Sequence, residues 1–446
     1  MQLADSAASR LAMRAIEKLR SRGFQALLVG GCVRDLLLAR PVADYDIATD
    51  ARPEQVAALF PGASLVGAHF GVVLVRDAEA EVQVATFRSD HAYRDGRHPE
   101  HVEFETDPRE DAARRDFTIN ALFWDPCRDE LLDFVGGRAD LESRLIRAVG
   151  EPEQRFYEDH LRMLRAVRFA ARLDFRLDPP TANAIRRLAP LARRVAVERV
   201  RDELVRILTE GGAGYGFQLL HSTCLLHELL PEVEALRGVE QPPDYHPEGD
   251  VWTHTLLMLD ALRNPRPTLA LGVLLHDIGK PQTFRRAHDR IRFDGHVERG
   301  VEIARAILNR FRFSSQEIEQ VLALVAHHMR FADVRRMRDA TLKRFLRLPH
   351  FDEHLELHRL DCMASHGNLD NYEYAQRKLA ELSEEQLHPP RLVSGEDLIA
   401  LGFEPGPRFR DILAAVEDAQ LDGVLATRDE AIAWIEERFH RNRDHR

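Results

Sequence analysis

The sequence predicts an α+β protein: a small mixed sheet with helices in roughly the first third, then a longer all-α remainder. Three observations predict it. Short β-rich runs (27–29, 71–76 and 81–87) alternate with glycine and acidic turns near the N-terminus. Beyond residue 148 the apolar residues recur at helical spacing, most clearly in EDHLRMLRAVRFAARL (158–173) and VERVRDELVRIL (197–208). A chain of 446 residues, 44 % hydrophobic and 30 % charged, has room for two to four domains with ordinary cores.

The totals exclude several classes. A formal charge of −11 rules out a globally basic nucleic-acid binder, so any RNA site is local. The cations are nearly all arginine, with lysine only at 18, 280, 343 and 378. Cysteines 32, 127, 224 and 362 form no C-x-x-C pair, which argues against a zinc knuckle or a disulfide framework. No apolar run approaches membrane-spanning length, and the first 24 residues mix charge with a helical period, unlike a signal peptide. A cytoplasmic location is the expectation, with no membrane partner.

LLVGGCVRDLLLARPVADYDIAT (27–49) organises the N-terminal part. Leu27 to Val29 read as a strand that stops at Gly30-Gly31, where backbone N–H groups can approach a ligand closely. Val33 to Leu38 read as a helix with Arg34 in its first turn, a place for an anion. Asp44 and Asp46 fall on one face of the next strand, with Tyr45 and Ile47 on the other. Paired carboxylates repel unless a cation lies between them. With a triphosphate held at Gly31 and Arg34, that cation is most simply Mg²⁺, and a pair of ions could polarise both the attacking and the leaving oxygen. No G-K-[ST] follows, so this is no Walker loop. A lone D-x-D would instead read as a solvated strand end.

Pro53 to Phe60 reads as a short helix, and 71–76 with 81–87 as a hairpin around DAEA. Asp90 to Asp111 is polar, rich in turn residues and expected to be mobile in part. RRDFTINA (114–121) offers Arg115 and Asp116, which as bare chemistry are a surface ion pair. DFVGGRAD (133–140) reads as a structural turn. On the helix over 158–173, Asp159 and Arg162 share a face at i, i+3, and Arg165 and Arg168 continue a cationic ridge. An exposed ion pair explains that spacing. So does base reading: cytosine and adenine both present an amino donor beside a ring-nitrogen acceptor, which an Asp and an Arg together match, whereas uracil and guanine oppose them.

His254, His276, Asp277, His296, His327, His328 and Asp361 lie on segments with helical spacing, and LLHDIGKP (274–281) carries the doublet in an apolar setting. Adjacent His and Asp can serve neighbouring ions with the carboxylate bridging, and imidazole plus carboxylate suits Mn, Fe, Co, Ni or Zn. Which of His327 and His328 ligates is open. Lys280 is placed to neutralise phosphate. SGED (394–397) and TRDE (427–430) read as capping boxes, with Pro405-Gly406-Pro407 a break between helices.

Gly30-Gly31-x-Val33-Arg34-Asp35 followed by Asp44-x-Asp46 resembles the nucleotidyltransferases of the DNA polymerase beta superfamily. More narrowly, it is similar to the class II tRNA nucleotidyltransferase and bacterial poly(A) polymerase family. RRDFTINA matches a family signature in which Arg115 faces the triphosphate. Glu158, Asp159 and Arg162 match its E-D-x-x-R block, and Arg165 and Arg168 match positions that contact the nucleotide. Glu198 and Arg199 resemble a further block that braces the base-reading helix. One position departs: where the family has a third acidic residue the chain has Gln83, with Glu81 two residues earlier on the same face. The stretch from Asp90 has the length of the complete form of a loop that C-only adders lack in part. The order H…HD…H…HH…D resembles the HD phosphohydrolases in their two-metal form, and LGFEPGPRF (401–409) a tail motif that holds the tRNA body.

The resemblance implies four domains: a polymerase-beta-like head (1–148), a helical neck and body (149–245), an HD domain (246–368) and a helical tail (369–446). It implies addition of C, C and A to the tRNA 3′ end from CTP and ATP, with Mg²⁺ in the head, a divalent transition metal in the HD domain and no DNA partner. HD-bearing members are associated with hydrolysis of cyclic or terminal phosphates on RNA ends. Poly(A) synthesis and CC-only or A-only addition remain alternatives. So do a protein uridylyltransferase, against which RRDFTINA and E-D-x-x-R weigh, and an inactive tRNA binder, prompted by Gln83.

Overall fold

The computed structural model describes residues 1–446 except 2, 43, 66–70, 94–95, 97–98, 244, 289 and 441–446; for 90–93, 99–100 and 440 it describes the backbone alone. The chain divides into two compact units, Met1–Glu234 with Arg310–Arg312, and Ala235–Asn309 with Phe313–Arg446.

The first unit begins with α1 (Ala7–Arg20), β1 (Ala26–Val29), α2 (Gly31–Leu37), β2 (Asp46–Thr49), α3 (Pro53–Leu59), β3 (Ser64–Leu65), β4 (Val72–Arg76) and β5 (Glu81–Thr86). It continues with β6 (Arg88–Tyr93), β7 (Pro99–Phe104), α4 (Pro108–Ala113), β8 (Leu122–Asp125), β9 (Glu130–Asp133) and α5 (Gly137–Glu142). Seven strands make one mixed sheet in the order β3-β4-β5-β2-β1-β8-β9. β2 and β5 pair in parallel, and the other junctions of that sheet are antiparallel. Leu27, Val29, Ala48 and Phe123 share one face and form a core with Ala112 of α4, while α1 packs on β1, β2 and β5. Around the acidic pair Tyr45 and Ile47 are buried, Asp44 is exposed and Asp46 half-buried; the strand itself begins only at Asp46, so Asp44 precedes it.

In the polar stretch from Asp90 the described backbone continues β6, which pairs antiparallel with β7, and α4 follows, capped by the Asp107 side chain. Residues 94–95 and 97–98, where mobility was expected, lie outside the described residues. DFVGGRAD forms a turn that leads into α5. Asp133 accepts from the N–H groups of Val135, Gly136, Gly137 and Arg138. Any Cβ at Gly137 would fall 2.2 Å from the Thr118 carbonyl oxygen, so glycine there lets α5 dock on RRDFTINA.

The neck and body follow as β10 (Leu145–Ile146), α6 (Pro152–Glu158), α7 (Arg162–Leu173), β11 (Arg176–Leu177), α8 (Pro179–Leu188), α9 (Val197–Thr209), α10 (Ala213–Ser222), α11 (Leu225–Leu229) and α12 (Pro231–Glu234). One helix was expected from Glu158 to Leu173. The structure breaks it instead: Asp159 is extended, at φ −142° and ψ 106°, and its carboxylate accepts the Leu161 N–H at 3.0 Å. A short aspartate that bonds its own backbone two residues on competes with the helix and ends it.

The second unit contains α13 (Val251–Ala261), α14 (Pro267–Leu275), α15 (Lys280–Thr283), β12 (Arg285–Arg286), β13 (Ile291–Arg292), α16 (His296–Arg310), α17 (Ser315–His327), α18 (Asp339–Leu346) and α19 (Phe351–Ala364), then further helices. Beyond residue 148 the chain is therefore not purely helical: β11, which pairs with β10, and the β12–β13 pair are strands of two residues each. Both tail capping boxes form, Ser394 with Asp397 and Thr427 with Glu430. Among the described residues no helix is long and apolar enough to cross a membrane.

Candidate active site and metal centre

In the first unit the site is built around the glycine turn. Gly30 has φ +78°, a left-handed conformation that only glycine adopts readily. A Cβ on it would lie 3.1 Å from Arg115 Nη1, 3.7 Å from the Asn120 carbonyl oxygen and 4.0 Å from Asp46 Oδ2; one on Gly31 would lie 3.6 Å from Arg34 Nη2. Gly30, Gly31, Arg34, Asp46 and Arg115 therefore converge. Arg34 is turned inward. Its Nε and Nη2 donate to Asp35 at 2.8 and 3.0 Å, and its Nη1 to Asn120 Oδ1 at 2.6 Å. Arg115 is fixed by Asp111, at 2.8 and 3.1 Å, and donates to the Asn120 carbonyl at 3.2 Å.

Burial is the main reason the Asp46 carboxyl is pushed up; Arg115 pulls it down and Asp44 pushes it up further. A carboxylate so placed gains from a cation. Gln83 is the register partner of Asp46 across the β2–β5 pair and is exposed, while Glu81 is ion-paired with Arg76.

The predicted base-reading residues stand directly against RRDFTINA. Arg162 Nη2 donates to the Arg114 carbonyl at 3.2 Å, and Arg165 donates twice to Asp116 Oδ2, at 3.0 and 2.7 Å. Arg115 thus lies between two residues that α7 grips. Asp116 is largely removed from solvent, which alone would raise its pKa, but the Arg165 guanidinium and the Asn120 amide hold it at about 2. Arg162 also pairs with Glu158 at 2.7 Å, and Asp159 with Arg199 of α9 at 2.9 Å, so the two predicted readers are held by different partners. Arg168 lies deeper, 2 % exposed, and pairs with Glu203 at 2.6 Å. Phe169 carries three guanidinium groups around its ring: Arg34 at 5.2 Å, Arg165 at 5.3 Å and Arg168 at 4.3 Å. Asp111 lies outside every motif, Asn120 is covered only by RRDFTINA and Glu203 only by the helical run 197–208, and Asp116 as bare chemistry reads as half of a surface pair; no local spacing marks the contacts of Asp116 and Glu203 with α7.

The second unit holds the histidine cluster. His254 on α13, His276 and Asp277 at the end of α14, His296 opening α16, His328 after α17 and Asp361 on α19 come together. Of the doublet, His328 joins them, its Nε2 3.7 Å from Asp277 Oδ1; His327 faces the His354 ring instead, with centroids 6.0 Å apart. Nδ1 of His276, His296 and His328 lies 2.9, 2.9 and 2.7 Å from the carbonyl oxygens of Val273, Phe293 and Val325. A carbonyl only accepts, so each Nδ1 carries a proton, and Nε2 is the ring atom left to ligate a cation. Those Nε2 atoms are buried, lack a well-aligned hydrogen bond and face Asp277 at 3.1, 3.9 and 3.7 Å. Ring nitrogens aimed at carboxylate oxygens are what a bound cation would reconcile, so the residues fit a metal ion. Burial opposes charge on His254, but Asp361 and Glu248 beside it raise its pKa to about 9. Burial lowers His328 to about 4. Lys280 Nζ pairs with Asp277 at 2.7 Å. His246 and Glu248, absent from the sequence reading, adjoin the cluster; their signal was a His and a Glu eight and six residues before His254.

Comparison with known proteins bears on this arrangement. Residues 26–147 match the model described as "Poly A polymerase head domain", 174–236 "Probable RNA and SrmB- binding site of polymerase A", and 250–361 "HD domain". The chain is 35 % identical over 433 residues to the A-adding tRNA nucleotidyltransferase of Deinococcus radiodurans, covering 92 % of this chain and 95 % of that one. It is 43 % identical over 207 residues to the CCA-adding enzyme of Ligilactobacillus salivarius, 46 % of this chain and about half (51 %) of that protein's length. The structure of the Bacillus stearothermophilus CCA-adding enzyme in complex with CTP aligns with a TM-score of 0.74 at 29 % identity over 99 % of both chains. The chain belongs to the class II tRNA nucleotidyltransferase and bacterial poly(A) polymerase family, and it carries an HD domain.

Proposed function

We propose that the protein adds C, C and A to the 3′ end of tRNA from CTP and ATP, releasing pyrophosphate, in the cytoplasm. The observation that carries the reading is the junction at Arg114–Asp116, where the residues around the glycine turn meet the helix that follows E-D-x-x-R. Gly30, Gly31, Arg34 and Arg115 cradle the triphosphate. Asp44 and Asp46 would hold Mg²⁺, which when bound polarises the attacking 3′ hydroxyl and the leaving pyrophosphate. Asp159 accepts from the base amino group while Arg162 donates to the ring nitrogen, so cytosine and adenine pass and uracil and guanine do not. Arg165 positions this pair through Asp116.

The test supplies tRNA ending at the discriminator base. Three added nucleotides with both NTPs, and two with CTP alone, are the expected products. Addition of A alone is a second reading, favoured because a relative that matches over 92 % of this chain is an A-adding enzyme. It predicts no product from that tRNA with CTP and one nucleotide on tRNA ending in CC with ATP. A long A tract would mean a poly(A) polymerase.

For the second unit we propose a metal-dependent phosphohydrolase acting on phosphate at RNA ends. His254, His276, Asp277, His296, His328 and Asp361 would hold divalent transition-metal ions such as Mn, Ni, Co, Fe or Zn, which activate water when bound. Lys280 offsets the negative charge of phosphate. His276→Ala with Asp277→Ala is expected to abolish phosphate release from cyclic nucleotides and leave nucleotide addition intact; unchanged release would remove this assignment.

A further inference from the structure

We infer that Glu248 is the positioning residue for His254 in the HD metal centre and selectively strengthens binding of the ion His254 holds. This rests on reading the cluster as a metal centre. Of the four imidazoles, three are backed at Nδ1 by main-chain carbonyls. His254 alone is backed by a carboxylate, with Nδ1 2.7 Å from Glu248 Oε1. His246 Nδ1 approaches the same oxygen at 2.8 Å and holds that carboxylate from the other side. The Glu248 side chain is 7 % exposed and His254 fully buried, so the charge acts through a medium that screens it little. The proton on Nδ1 leaves Nε2, 3.2 Å from Asp361, as the ligating atom. A carboxylate behind a ligating imidazole fixes its tautomer and orientation and makes it a stronger donor. Asp277 forms one group with His254 and His276 and another with His296 and His328; Glu248 joins His254 but not the second group, where the described backing of both imidazoles is a main-chain carbonyl. The two positions are thus chemically unequal.

The experiment titrates metal-free full-length protein with Co²⁺, in excess Mg²⁺ to occupy the oxygen-only site of the head. It reads equilibrium dialysis and the visible d–d bands. Wild type is expected to bind two ions. Glu248→Ala should weaken one of them by about 10- to 100-fold and leave the other as it was. Glu248→Gln, which can still accept from Nδ1–H but lacks the charge, should fall between, and it carries the test if the alanine variant fails to fold. Wild-type affinity at both positions in a folded Glu248→Ala protein would overturn the inference, as would an equal loss at both. A wild-type protein that takes up no Co²⁺ would instead overturn the metal centre itself, and the inference with it.

Discussion

Asp46→Asn is expected to slow nucleotide incorporation by about 10³-fold or more while tRNA binding, read by filter retention, stays unchanged. The carboxylate lies beside the glycine turn and Arg115, so under the proposed reading its loss removes a charge at the reacting phosphate without touching α7 or α9. Charge stabilisation at a transferring phosphoryl group is worth several kcal/mol, and each 1.4 kcal/mol or so is tenfold in rate. Single-turnover assays with CTP separate this from product release. Turnover within tenfold of wild type would show that the acidic pair is not the metal anchor.

The second large effect is on stability. Arg168→Met removes the 2.6 Å partner of the buried Glu203 and leaves it only Arg165, at 4.0 Å; loss of one partner from a buried pair costs about 3–5 kcal/mol. In a unit of this size that is a fall of about 10 °C in the melting temperature. Pairing it with Glu203→Leu should recover much of the loss, because the desolvation cost of both charges disappears. The same variant separates two roles for Arg168. A lowered melting temperature with an unchanged KM for CTP makes it a structural strut under Phe169; an unchanged melting temperature with a raised KM makes it a nucleotide contact.

What the sequence disclosed was chemistry compressed into short segments. Gly30-Gly31, Asp44 with Asp46, RRDFTINA and the His276-Asp277 doublet each announce themselves within a few residues, because strand, turn and helix periodicities act locally. The partners were hidden by distance along the chain. Asp116 meets Arg165 across 49 residues and Arg168 meets Glu203 across 35, and no period links them. The helix break at Asp159 was hidden for another reason: the apolar pattern runs on through it, and only the aspartate's bond to its own backbone reveals the interruption. His327 and His328 could not be told apart because neighbours on a helix point about 100° apart and both flanks are apolar.

The lone parallel junction in the head sheet has a further consequence. Because β2 and β5 run the same way, their first residues emerge on one edge, and position 83 is delivered alongside Asp46. An acid there would give that rim three negative charges; an amide leaves two. Under the proposed reading, two divalent ions would bring four positive charges against those two, and the tetra-anionic tail of the incoming nucleotide would make up the deficit. Metal retention in the head would then be tied to nucleotide occupancy.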